Sequence, residues 1–195
     1  MKKRKPPTSE SERDARVGDF FAALGLESDR GVVMLGGAIL DELFDALLRS
    51  KMLADEDVLK RAVQNLLSIY GPLGSFFAKI QMAYAIGCIK RQTFDDLSII
   101  RDLRNHFAHH SGTISFRDAD VVTLCNRLRT PDDAMQLMMT NGPQDSTVLA
   151  AALHNQPGRT RFMLTVAYLA AGTQASIRNE ENRFAHSAVT ASGVN

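Results

Sequence analysis

Ile99-Ile100-Arg101-Asp102-Leu103-Arg104-Asn105-His106-Phe107-Ala108-His109-His110 is the stretch that decides how this chain folds. At about 100° per residue, Ile99, Ile100, Leu103 and Phe107 line one apolar stripe with Arg104 at its margin. Asp102, His106, His109 and His110 gather on the opposite side. That period predicts an amphipathic helix, and a single apolar stripe needs other helices to bury it. Ser111-Gly112 ends the helix, with Gly112 free to take the left-handed C-terminal conformation, so the imidazoles fall on the last turn. The carbonyl end of a helix carries partial negative charge and favours protonated imidazole there.

Working upstream, Thr93 reads as the cap of this helix, with Asp95 and Asp96 in its first turn. Ser75 caps an earlier helix running to about Lys90, with Phe76, Phe77, Ile80 and Ala83 inward. Tyr70-Gly71-Pro72-Leu73-Gly74 breaks the chain before it, because proline lacks a donor and glycine tolerates unusual dihedrals. A helix over about Asp55 to Ile69 turns Val58, Leu59, Ala62, Val63, Leu66 and Leu67 to the core. Ser28 or Asp29 caps the long helix reaching about Lys51, whose face of Leu40, Leu43, Phe44, Leu47 and Leu48 makes it the central one. Gly36-Gly37 within it allows a close helix contact. A short helix over Val17 to Leu26 presents Phe20, Phe21 and Leu24.

Downstream, Thr113 to Phe116 reads as extended and Asp118 to Arg129 as another helix. Pro131 opens a short helix with Met135, Met138 and Met139, followed by a small helix near Ser146 to His154. A long helix covers Gly158 to Arg178. Strand alternation is nearly absent, so the expected fold is all-α, a multi-helix bundle with short loops and disordered termini. Residues 1–16 form a basic and polar tail, 17–178 a single helical domain and 179–195 a polar tail.

Composition narrows the function. The 195 residues are 45% hydrophobic, enough for a sizeable core. A formal charge of +1 supplies no global field toward nucleic acid or membrane, so such binding has to be local. Lys2 to Lys5 offer a local patch, read more simply as a solvated tail and not a secretory signal. The longest apolar runs are too short for a bilayer. Cys88 and Cys125 lie in apolar segments and read as free buried thiols of a cytoplasmic protein. Gly71, Pro72 and Gly74 lack the lysine of a phosphate loop, and no cofactor is expected.

Glu27-Ser28-Asp29-Arg30-Gly31, Gly71-Pro72-Leu73-Gly74, Lys79-Ile80 with Ala83-Tyr84-Ala85-Ile86-Gly87, and Ile100-Arg101-Asp102-Leu103-Arg104-Asn105 leading to Phe107-Ala108-His109 are four ordered motifs. Together they resemble the mannitol operon repressor family over roughly residues 17–125. The resemblance implies a helical bacterial regulator that represses sugar-alcohol uptake and metabolism genes. The basic residues themselves are scattered and form no exposed recognition helix, so a regulatory protein partner is at least as good a reading as an operator, and the regulator is expected to be a homodimer.

Arg104, Asn105 and His109 also match the Arg-Asn-x-x-x-His pattern of the HEPN superfamily. That resemblance implies a homodimeric, metal-independent ribonuclease, in which an imidazole moves the proton of a ribose 2′-hydroxyl and a guanidinium stabilises phosphate charge. Positions five apart on a helix differ by about 140° and about 7.5 Å, so one Arg104 and one His109 do not easily meet on one phosphate. The blander reading pairs Arg104 with Asp41 or Glu42 and sets His109 on helix-end carbonyls. Asp102, His106, His109 and His110 have the three-and-four spacing of helical metal ligands. They lack the glutamate base of a His-Glu-x-x-His site, and no metal is expected.

Overall fold

The computed structural model describes residues 24–52, 57–130, 132 and 157–192. Among these the chain forms six helices and no strand: α1 Asp29–Lys51, α2 Asp57–Leu67, α3 Phe76–Ala85, α4 Arg91–His109, α5 Ala119–Asn126 and α6 Pro157–Ser192. The fold is all-α. The N-terminal tail, most of the Val17 to Leu26 helix, the segment with Met135, Met138 and Met139 and the small helix expected near Ser146 to His154 lie outside the described residues.

Helix α1 is the hub on which α6, α4 and α3 pack; α3 also packs on α4, and α5 on α6 and α4. Ser28 begins α1, its hydroxyl accepting the Gly31 amide at 3.0 Å. Val32, Val33, Leu40, Phe44, Leu47 and Leu48 are buried along it. The paired glycines set two approaches. A Cβ on Gly36 would lie 3.1 Å from the Phe162 ring and 3.2 Å from Val166, so α6 comes close there. A Cβ on Gly37 would lie 2.9 Å from Cδ of Arg104, so the arginine stem crosses α1 at that point.

Several boundaries differ from those expected. Helix α3 stops at Ala85 rather than Lys90, because Gly87 takes a φ of 73° and turns the chain. Helix α4 starts at Arg91 with Lys90 at its cap position and no side-chain cap, so Thr93 lies inside its first turn. Helix α6 continues past Arg178 to Ser192, where the sequence reading placed a polar tail. No glycine or proline interrupts residues 173–192, and polarity alone does not end a helix. Thr113 to Ser115 form no strand, although Ile114 and Phe116 are buried.

The largest correction concerns α2. Of its expected core face, Leu67 is buried and Val63 half-buried, while Val58, Leu59, Ala62 and Leu66 face solvent. Amphipathic spacing identifies an apolar face without saying that this chain supplies its cover.

Candidate functional site

The last three turns of α4 form the candidate site. Leu97, Ile99, Ile100, Leu103 and Phe107 are buried, which fixes the helix rotation. Phe107 stacks toward Phe116 at 5.6 Å between ring centroids, and Phe116 toward Phe162 at 5.7 Å, so the end of α4 is seated on α6 through three aromatics.

That rotation places Arg104 at the stripe margin, where its NH1 lies 3.9 Å from Asp41 Oδ2. Of the two carboxylates offered by the sequence, Asp41 is the one reached. Asp41 is shared: the Lys79 ammonium donates to its Oδ1 at 2.6 Å and lies 3.7 Å from Asp45, which also takes Arg49 at 2.5 Å. Lys79 is buried, so Asp41 and Asp45 neutralise a charge that would otherwise be desolvated alone. Sequence spacing could not show this cluster, since Lys79 and Asp41 are separated by 38 positions.

On the outer side, Arg101 donates to Asp102 Oδ1 at 2.5 and 3.0 Å and stacks 4.1 Å over the Phe77 ring. His106 is half-buried, with its ring 6.0 Å from that of His110; Asn105, His109 and His110 are exposed. Among the described residues no three His, Cys, Asp or Glu side chains converge as a metal site. Asp102, the carboxylate of that quartet, is engaged by Arg101.

The helix end is closed differently from the expected glycine cap. Gly87 is the only glycine with positive φ among the described residues, so Gly112 does not adopt the left-handed conformation. His110 leaves the helix extended, and Arg30 donates to the carbonyls of His110 at 2.8 Å and Gly112 at 3.1 Å. An arginine of α1 thereby satisfies carbonyls that a glycine turn would have served.

Asp29 accepts Arg159 at 2.5 Å and the Phe116 amide at 3.0 Å, while Arg159 also donates to Leu24, Gly25 and Glu27 carbonyls. The charged mouth of α1 is thus a structural clamp. Asp96, expected at a helix start, is instead fully buried: it accepts the amides of Arg129 at 3.0 Å and Thr130 at 2.8 Å, and the Thr130 hydroxyl at 2.5 Å. Both cysteines are free, and burial pushes the Cys125 thiol up to about 12.

The family model described as mannitol repressor matches residues 26–174. This chain belongs to the mannitol repressor family. The mannitol operon repressors of Escherichia coli K12 and of Escherichia coli O6:H1 are each 27% identical to it over 93 residues, 48% of this chain and 48% of theirs. The aligned stretch thus spans about half the length of those curated relatives.

The fold matches a chain of the Escherichia coli MtlR–HPr complex with a TM-score of 0.61 at 22% identity, over 82% of this chain and 98% of that one. It also matches YggD of Shigella flexneri, described as a possible transcriptional regulator, with a TM-score of 0.56 at 16% identity, over 84% and 98%. Both likenesses concern the fold alone.

Proposed function

We propose that this chain is a transcriptional regulator of the mannitol-repressor type that acts through protein contacts, with HPr as the first partner to test. The observation that carries this reading is that the arginines of α4 and several cations of α1, α3 and α6 are paired with carboxylates of the same chain. Lys79 and Arg104 serve Asp41, Arg49 serves Asp45, Arg91 serves Asp95, Arg101 serves Asp102, Arg159 serves Asp29, Arg161 serves Asp132 and Lys51 serves Glu180. A protein that grips a phosphate backbone aims its cations outward and gains affinity from each phosphate neutralised. On α4 itself Arg91, Arg101 and Arg104 are engaged by Asp95, Asp102 and Asp41, so its open face offers no free arginine to a groove. Family membership supports sugar-alcohol genes as the regulated class, and the HPr-bound neighbour supports a protein effector.

Fluorescence anisotropy with labelled promoter DNA between about 50 and 200 mM salt tests this. The isolated protein is expected to show no tight, steeply salt-dependent binding. Nanomolar binding of the promoter by the protein alone would overturn the reading.

One observation favours a second reading, a metal-independent ribonuclease: Asn105 and His109 are exposed and four residues apart, so they share one open face of α4. Arg104 turns toward Asp41 in the same chain, so a homodimer would have to bring the groups together. Single-stranded RNA incubated in EDTA with the wild type, His109→Ala and Arg104→Ala decides it, cleavage by the wild type alone being the positive result.

A further inference from the structure

The end of α4 holds an imidazole pair that the protein-contact reading leaves unused. His106 and His110 are four positions apart on one helix face, and their ring centroids lie 6.0 Å apart at 45°. His110 N still donates to His106 O at 3.2 Å, so His110 keeps its helical register although its own backbone leaves extended. Arg30 pins that backbone through the carbonyls of His110 and Gly112 at 2.8 and 3.1 Å. A Cβ on Gly112 would stand 3.4 Å from Nε2 of His110, so the missing side chain leaves this nitrogen uncovered. Among the described residues neither ring takes part in a hydrogen bond or ion pair, and each neutral imidazole keeps a lone pair for a ligand.

A metal ion fits between the rings with little movement. Imidazole nitrogens about 2.0–2.1 Å from one ion, at the angles of a square or tetrahedral centre, set the ring centroids about 4.5–5.2 Å apart. The last side-chain torsion of histidine is soft, and its rotation closes the remaining gap of about 1 Å. Histidines four apart on a helix are the ligating half of the His-Glu-x-x-His arrangement. Buried Phe107 stands at the glutamate position, so the pair keeps ligation and loses the base that would activate water. A supporting carboxylate is also in place. Asp102 lies one turn before His106, and both Arg101 bonds end on its Oδ1, which leaves Oδ2 to accept the outer ring N–H of His106. Among the described residues no third ligand converges, so water completes the coordination.

The donors select the ion. Two imidazoles suit Cu(II), Zn(II) and Ni(II) rather than Mg(II) or Ca(II), and Cu(II) binds such a site most tightly. We propose that His106 and His110 form a bidentate site for a late first-row divalent metal ion, with Asp102 holding His106 from behind. The chelate ties the last turn of α4 to the extended segment that follows it, beside Asn105 and His109.

The full chain with one equivalent of Cu(II) tests the site, with pulsed electron paramagnetic resonance counting the imidazoles on the ion and calorimetric titration giving the Kd. The wild type is expected to show two imidazoles and a Kd at or below about 10 μM. His106→Gln and His110→Gln, checked for folding by circular dichroism, each lower the count to one or none and raise the Kd at least tenfold. His110 is exposed, so its variant keeps the test decisive if His106→Gln fails to fold. Asp102→Asn retains both imidazoles and raises the Kd about tenfold, and His109→Gln changes neither reading. Saturating Zn(II) slows amide exchange at residues 107–112 in the wild type and not in His110→Gln. Fewer than two imidazoles in the wild type, a count unchanged by His110→Gln, loss of the site in His109→Gln, or exchange indifferent to Zn(II) overturns the inference.

Discussion

Replacing Asp41 with alanine is expected to destabilise the protein by about 2–3 kcal/mol. The Lys79 side chain is 9% exposed and gives its 2.6 Å hydrogen bond to Asp41. Breaking a buried ion pair from one side costs about 3–5 kcal/mol, because the remaining charge stays desolvated. Two features lower the figure here: Asp41 is itself 25% exposed, and Asp45 stands 3.7 Å from the same ammonium. For a domain of this size the loss corresponds to a fall in Tm of roughly 5–10 °C. Urea unfolding followed by circular dichroism measures it, with the m-value checked for constancy. Adding Lys79→Met to Asp41→Ala removes the stranded charge and is expected to recover at least about half of the loss. A single-variant loss below about 0.5 kcal/mol, or a double variant no better than the single, would refute the claim that Asp41 serves to neutralise Lys79.

Further outcomes follow from other contacts. Asp96→Asn deprives two amides and a hydroxyl of a charged acceptor inside the core and should cost about 2–3 kcal/mol by the same unfolding assay. With the Cys125 thiol raised to about 12 from 9.0, alkylation at pH 8 should label the half-buried Cys88 first and Cys125 only after unfolding, as read by peptide mass spectrometry. The same shift carries a sign: a group raised in the folded state favours folding below its unfolded value, so Cys125 stabilisation is lost as pH climbs from about 9 toward 12. Alkaline unfolding curves of Cys125→Ala should lack that component. Arg30→Ala frees the His110 and Gly112 carbonyls and should speed amide exchange around residues 107–112 without melting α1.

What the sequence made legible was local. The stripe of Ile99, Ile100, Leu103 and Phe107, the Ser28 and Ser75 caps and the close contact at Gly36-Gly37 all rest on residues within a few positions of one another, and the structure contains each of them. The Arg104 partner was legible to within two neighbouring carboxylates, because a margin position can only meet the adjoining helix. Contacts across long separations were not legible: Arg30 on the end of α4, Arg159 on Asp29, and Asp96 beneath Thr130. In each, a polar side chain satisfies backbone or charge that the local pattern assigned elsewhere, as when Arg30 replaces the glycine cap expected at Gly112. Helix α2 failed for a different reason. Periodicity measures apolarity and is silent on whether the cover comes from the same chain or from another.

Calorimetric titration of HPr into the full-length protein tests the central claim most directly. The protein-contact account predicts a saturable complex with a negative heat-capacity change, because apolar surface is buried on docking. Titration to about 1 mM with neither heat nor a co-sedimenting complex, beside tight promoter binding by the protein alone, would contradict it.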